Sequence, residues 1–121
     1  MRLTAKIVQM LIRLCFVVLL VLGVLFWSGR ALDLVNVHML IGTILVLGLW
    51  VLAILGIRAR AGWGLIAMAV IGGLVVMGLG MAQTQLVPGD LHWTVRVVHL
   101  LVGVAAIGLA EQLAARISRA T

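Results

Sequence analysis

LVNVHMLIGTILVLGLWVLAILG, residues 34–56, decides the fold. The run has no charged side chain, and apart from the Trp50 indole its polar groups are Asn36, His38 and Thr43. At about 1.5 Å of rise per residue, a helix of this length crosses the ~30 Å hydrocarbon core of a bilayer. Three further apolar runs of similar length lie at about 8–27, 62–82 and 93–115. The connectors between them (28–33, 57–61 and 83–92) are short, so consecutive helices are expected to run antiparallel. The expected fold is all-α, a single domain over 1–121: an integral membrane four-helix bundle, up-down-up-down. Only the third connector carries strong turn chemistry, in Pro88-Gly89-Asp90, and Asp90 reads as an N-cap for the fourth helix.

Composition supports the membrane class. The chain is 65% hydrophobic and 10% charged, with a mean hydropathy of +1.35. A water-soluble domain of this size could not cover that much apolar surface. The net charge of +6 raises the question of nucleic acid. The basic residues form no face, however; they sit at the ends of the apolar runs, as topology signals and lipid headgroup contacts do. The partner they imply is the lipid bilayer, with no nucleic acid. Cys15, the one cysteine, lies inside the first run, and there is no Cys-x-x-Cys-His attachment motif.

Arg2, Lys6, Arg13, Arg58, Arg60, Arg116 and Arg119 fall at one side of the expected bundle, against Arg30 and Arg96 at the other. The positive-inside rule then places both termini in the cytoplasm, in a prokaryotic-like inner (cytoplasmic) membrane. Trp27 and Trp93 would mark the outer interface and Trp63 the inner one, with Trp50 packed between helices. The basic start followed by an apolar run also resembles a secretory signal peptide. Trp27-Ser28-Gly29-Arg30-Ala31 offers no small-x-small cleavage site, so the first helix is expected to be retained.

Two stretches repeat one another: Val37-His38-Met39-Leu40-Ile41-Gly42 and Val98-His99-Leu100-Leu101-Val102-Gly103, 61 residues apart (99 − 38). Histidine is costly in hydrocarbon, so two at matching places point to a shared task. Neutral imidazole is a common iron ligand, and two on one iron give a six-coordinate site suited to electron transfer. Gly42 and Gly103 lie one turn on, on the same helix face as their histidine, where a flat macrocycle could approach the backbone. The alternative is helix packing, with glycine for close contact and histidine hydrogen-bonding across helices. With no attachment motif, the expected cofactor is non-covalent haem b, with His38 and His99 as axial ligands.

Other residues are weaker candidates. His92 precedes His99 by seven and reads as a solvated loop-end residue, with second-metal ligand, proton relay or alternative partner to His38 as the other readings. Arg96, one turn outward from His99, and Arg30 could meet haem propionates or lipid headgroups. Asn36 and Thr43 could orient His38. The third run is rich in small residues, among them Ala69, Gly73, Gly78 and Gly80, which favours tight helix contact and leaves room for a cofactor. Met77 between them is filler or packs on the macrocycle. Glu111, the one acidic residue inside an apolar run, is expected to reach a headgroup or a nearby basic residue, with proton or quinone chemistry as the alternative.

The His-x-x-x-Gly pairs in the second and fourth helices resemble small membrane b-type cytochromes, and more specifically one four-helix half of the haem A synthase family. The stretch from Ile71-Gly72-Gly73-Leu74 through Leu86-Val87-Pro88 to Val98-His99-Leu100-Leu101 carries that resemblance. It implies that His38 and His99 are paired haem ligands. The family's catalytic half usually has a glutamate three residues before the first histidine and an arginine after it. Here those positions are Val35 and Met39, and the outer-loop cysteine pair is absent.

Those departures favour an electron carrier over a haem-modifying enzyme. The expected function is a b-type cytochrome exchanging electrons near the outer face with a quinol or small redox partner, as a monomer or homo-oligomer. A haem-modifying or haem-carrying protein of the synthase type, and a cofactor-free interaction subunit or transporter, are the other two readings.

Overall fold

The computed structural model describes all 121 residues and contains four long helices and no strand: α1 (Arg2–Trp27), α2 (Val35–Arg58), α3 (Trp63–Ala82) and α4 (His92–Ala120). Short 3-10 turns at Leu32–Leu34 and Gln83–Gln85 complete it. All four helices are long and apolar enough to cross a membrane. The apolar runs match α3 and the end of α1, but two helices extend well beyond them. α1 begins at Arg2 instead of residue 8, and α4 runs to Ala120 instead of 115. Arg, Lys, Gln and Ala are strong helix formers, so the helices continue beyond the apolar stretch.

The helix ends follow local chemistry. α1 closes with Gly29 at φ +79° and a hydrogen bond from the Arg30 amide to the Leu25 carbonyl, a glycine-stopped Schellman end. α2 closes the same way, from the Ala61 amide to the Gly56 carbonyl, but the left-handed position is filled by Arg60 at φ +55°. Asp90 does not cap α4. The residue at the N-cap is Leu91, without a side-chain bond, and the Gly89 carbonyl accepts from the His92 amide.

Each helix packs against its sequence neighbours, α1 closes the ring with α4, and α2 and α4 also touch across the middle. The cross-section is therefore a rhombus with α2 and α4 on its short diagonal. Packing is uneven along the bundle. Every buried residue of α2 lies at or beyond Leu45, those of α3 stop at Gly73, and those of α4, apart from Val95, begin at Ala106. These belong to the end that holds Met1, residues 57–62 and the C-terminus. Three glycines at the dense end receive large side chains. Gly48 receives Ile12, Gly56 receives Leu113, and Gly73 receives Trp50. At the other end Gly78 and Gly103 face open space.

No polar or charged residue is buried, and the outside carries large apolar side chains, including Leu3 (71% exposed), Met81 (71%) and Trp63 (74%). Cys15 is buried as a free thiol within the core.

Candidate functional site

The loosely packed end holds the two repeated histidines. His38 is the fourth residue of α2 and His99 the eighth of α4, and the short diagonal brings them side by side. Their ring centroids are 6.4 Å apart, with planes inclined by 47°. Phe26 of α1 meets His38 edge-on at 5.3 Å.

Each ring turns its Cε1 edge toward a glycine on a flanking helix. A Cβ on Gly23 of α1 would stand 3.9 Å from Cε1 of His38, and one on Gly80 of α3 would stand 3.5 Å from Cε1 of His99. The glycines one turn after the histidines stand in open surroundings. Gly103 has nothing within 4 Å, and Gly42 has only Leu19 at 3.9 Å. Neither is a point of tight helix contact.

Nδ1 of His38 and Nδ1 of His99 are both buried without a hydrogen-bond partner. An unmatched buried polar atom costs about 1–3 kcal/mol; the third such atom in the chain is Nε1 of Trp50. The expected orienting groups do not serve the histidines. Thr43 donates to the Met39 carbonyl of its own helix at 2.9 Å, and Asn36 is exposed.

Among the remaining sequence candidates, Arg96 lies over the Trp27 ring, 5.9 Å from its centroid, which ties α4 to α1 above the histidines. Arg30 is exposed. Neither has a carboxylate partner, because the chain's single ion pair joins Arg13 to Glu111. His92 is a loop brace: its Nδ1–H donates to the Leu86 carbonyl at 3.0 Å, holding the third connector against the start of α4. Trp50 packs between helices, against Gly73.

Glu111 finds a basic neighbour. Its carboxylate accepts from Nε and Nη2 of Arg13 at 2.7 and 2.8 Å, and from Nε2 of Gln9 at 2.7 Å. Its negative charge is thereby matched, and the group clamps α1 to α4 at the densely packed end.

Two residues escaped the sequence reading: Phe26 and Gly23. Gly23 left a signal, as the single glycine in α1.

No group of three or more His, Cys, Asp or Glu comes together anywhere in the chain. A bare zinc or similar ion takes three or four protein ligands, so the pair does not suit one.

Fold and surface together define a class: an all-α bundle of four helices, each able to span a membrane. Comparison with known protein families, with characterised proteins and with solved structures finds no match.

Proposed function

We propose that the chain is an integral membrane b-type cytochrome in which His38 and His99 hold one non-covalent haem. The observation that carries the reading is the juxtaposition of the two half-buried imidazoles on the short diagonal, 6.4 Å apart, each with an unmatched buried Nδ1. It is supported by the ligand count, since two histidines are what a haem needs from the protein.

Coordination of one iron by both residues requires each ring to turn from its present orientation. Glycine at 23 and 80 leaves space beside both rings for that turn. Few residues are fully buried at this end, whereas the Leu49, Leu52 and Leu113 layer is completely buried. Arg96 and Arg30, both without carboxylate partners, are available to the propionates.

When bound, haem supplies a one-electron redox change, and the chain supplies ligands, orientation and a low-dielectric surround. A quinol or small redox partner near the outer face fits this role.

The bilayer setting is supported by the apolar exterior and the four candidate spans. The excess of Arg and Lys at the densely packed end orients an up-down-up-down bundle with both termini in the cytoplasm of a prokaryotic-like cell.

The test is an absorbance spectrum of detergent-purified protein, oxidised and then reduced with dithionite, after expression with haem supplied. Sharp reduced bands of the low-spin b type, lost in both His38→Ala and His99→Ala and kept in His92→Ala, support the proposal. Protein that is colourless and does not take up added haemin returns the pair to helix packing.

A further inference from the structure

At the opposite end of the bundle, where α2 turns into α3, lies a cleft of about 400 Å³ lined by Ile57, Arg60, Gly62, Trp63 and Ile66. Its lining is mixed in a telling way: two isoleucines, a tryptophan that is 74% exposed, and one guanidinium. A second guanidinium adjoins it. Nη1 of Arg116 donates to the Ala61 carbonyl and stands 3.1 Å from where a Cβ on Gly62 would lie.

The charge around this cleft is unbalanced. Asp33, Asp90 and Glu111 are the three acidic residues of the chain, and Glu111 is taken by Arg13. Arg2, Lys6, Arg58, Arg60, Arg116 and Arg119, all toward this end, have no carboxylate partner. A ligand for the cleft therefore needs an anionic head beside Arg60 and an apolar part to lie on Ile57 and Ile66. A soluble phosphate has only the first, and a neutral lipid only the second.

We propose that the cleft between the end of α2 and the start of α3 binds one anionic phospholipid, its phosphate held by Arg60 and the first part of an acyl chain lying on Ile57 and Ile66. Trp63, the exposed first residue of α3, would lie in the bilayer setting where tryptophan anchors a helix to the headgroup layer. The lipid would tie the second connector to the bilayer surface and offset the repulsion among the clustered cations. The site rests on the bilayer setting proposed above and is independent of haem.

The experiment is native mass spectrometry of the full-length protein released from vesicles of phosphatidylglycerol and phosphatidylcholine, with vesicle flotation run alongside. One phosphatidylglycerol is expected to be retained in preference to phosphatidylcholine, and an excess of inorganic phosphate should not displace it. Arg60→Asn removes the charge but tolerates the left-handed backbone, so the fold is kept, as circular dichroism will verify. It should lower phosphatidylglycerol retention by about fivefold, the worth of one basic side chain at an anionic surface. Arg119→Asn should leave the preference for phosphatidylglycerol close to the parent's, because Arg119 does not line the cleft. Equal retention of both lipids, equal loss in the two variants, or displacement by phosphate overturns the site. Failure of the protein to float with either vesicle overturns the bilayer setting itself.

Discussion

The indole of Trp50 on α2 occupies the space that a side chain at Gly73 of α3 would need. A Cβ there would stand 2.5 Å from Nε1 and 3.1 Å from Cε2 of the ring, with Val46 also at 3.1 Å. A planar ring wedged between helices cannot swing clear as a flexible chain end can. Alanine at this position gains about 0.5–1 kcal/mol of helix propensity. Overpacking costs about 1–3 kcal/mol and wins. Gly73→Ala is therefore expected to lower the thermal midpoint in detergent, while Gly78→Ala, facing open space, leaves it unchanged or slightly higher. Melting curves by circular dichroism compare the two; equal midpoints would mean that Trp50 does not hold α3 in place.

The glycines beside the histidine rings give a second prediction. Leucine at Gly80 would take the space next to Cε1 of His99 and fix the ring where it stands. Haem occupancy in Gly80→Leu is expected to fall about tenfold, the equivalent of ~1.4 kcal/mol of overpacking. Gly103→Leu enters open space, so its melting curve without haem should match the parent. Its haem occupancy then reports whether the macrocycle lies along α4. Full occupancy in Gly80→Leu would show that the ring needs no turn to bind.

Much of this was legible in the sequence, and the limits have physical causes. Four apolar runs separated by short connectors gave the number of helices, and the repeated His-x-x-x-Gly gave the pair. Hydropathy reports where a helix crosses an apolar region and not where its hydrogen bonds end, so the α1 and α4 boundaries moved outward. Asp90 has the chemistry of a cap, but the turn closes through the Gly89 carbonyl, which puts Leu91 at the boundary. Spacing along α2 and α4 pointed to Gly42 and Gly103 because they share a face with the histidines. The glycines that stand beside the rings, Gly23 and Gly80, come from other helices, and such placements depend on helix rotation and offset.

His92 separates a structural histidine from the proposed ligands. Its bond to the Leu86 carbonyl spans a connector in which Val87 sits at φ +43° and Gly89 at φ +94°. His92→Ala should lower stability by about 0.5–1.5 kcal/mol, one hydrogen bond's worth, and speed hydrogen exchange in residues 86–91. The haem spectrum should be unchanged. A spectral change in this variant with none in His99→Ala would exchange the roles of the two residues.

The Arg13–Glu111 clamp predicts non-additivity. Glu111→Gln leaves the Arg13 guanidinium without its carboxylate, and Arg13→Gln leaves the carboxylate without its guanidinium. Each single change is expected to lower the thermal midpoint by more than half the effect of the double change, as coupled partners do. Additive losses would mean that the two side chains contribute independently and that α1 is held to α4 by apolar packing alone.

Arg60 shows a stability cost at the proposed lipid cleft. The Schellman end of α2 calls for glycine at the left-handed position, as Gly29 provides for α1, yet Arg60 holds it at φ +55°. A non-glycine residue there costs about 1–2 kcal/mol, partly offset by the extra freedom glycine brings to the unfolded chain. In neutral detergent, Arg60→Gly should therefore raise stability by about 0.5–1 kcal/mol. With phosphatidylglycerol added, the parent should gain stability and the variant should not, so that their order narrows or reverses. Differential scanning of both proteins across a lipid titration measures this crossing. A variant that stays ahead by a constant margin at every lipid concentration would leave Arg60 as a strained turn residue with no ligand to hold.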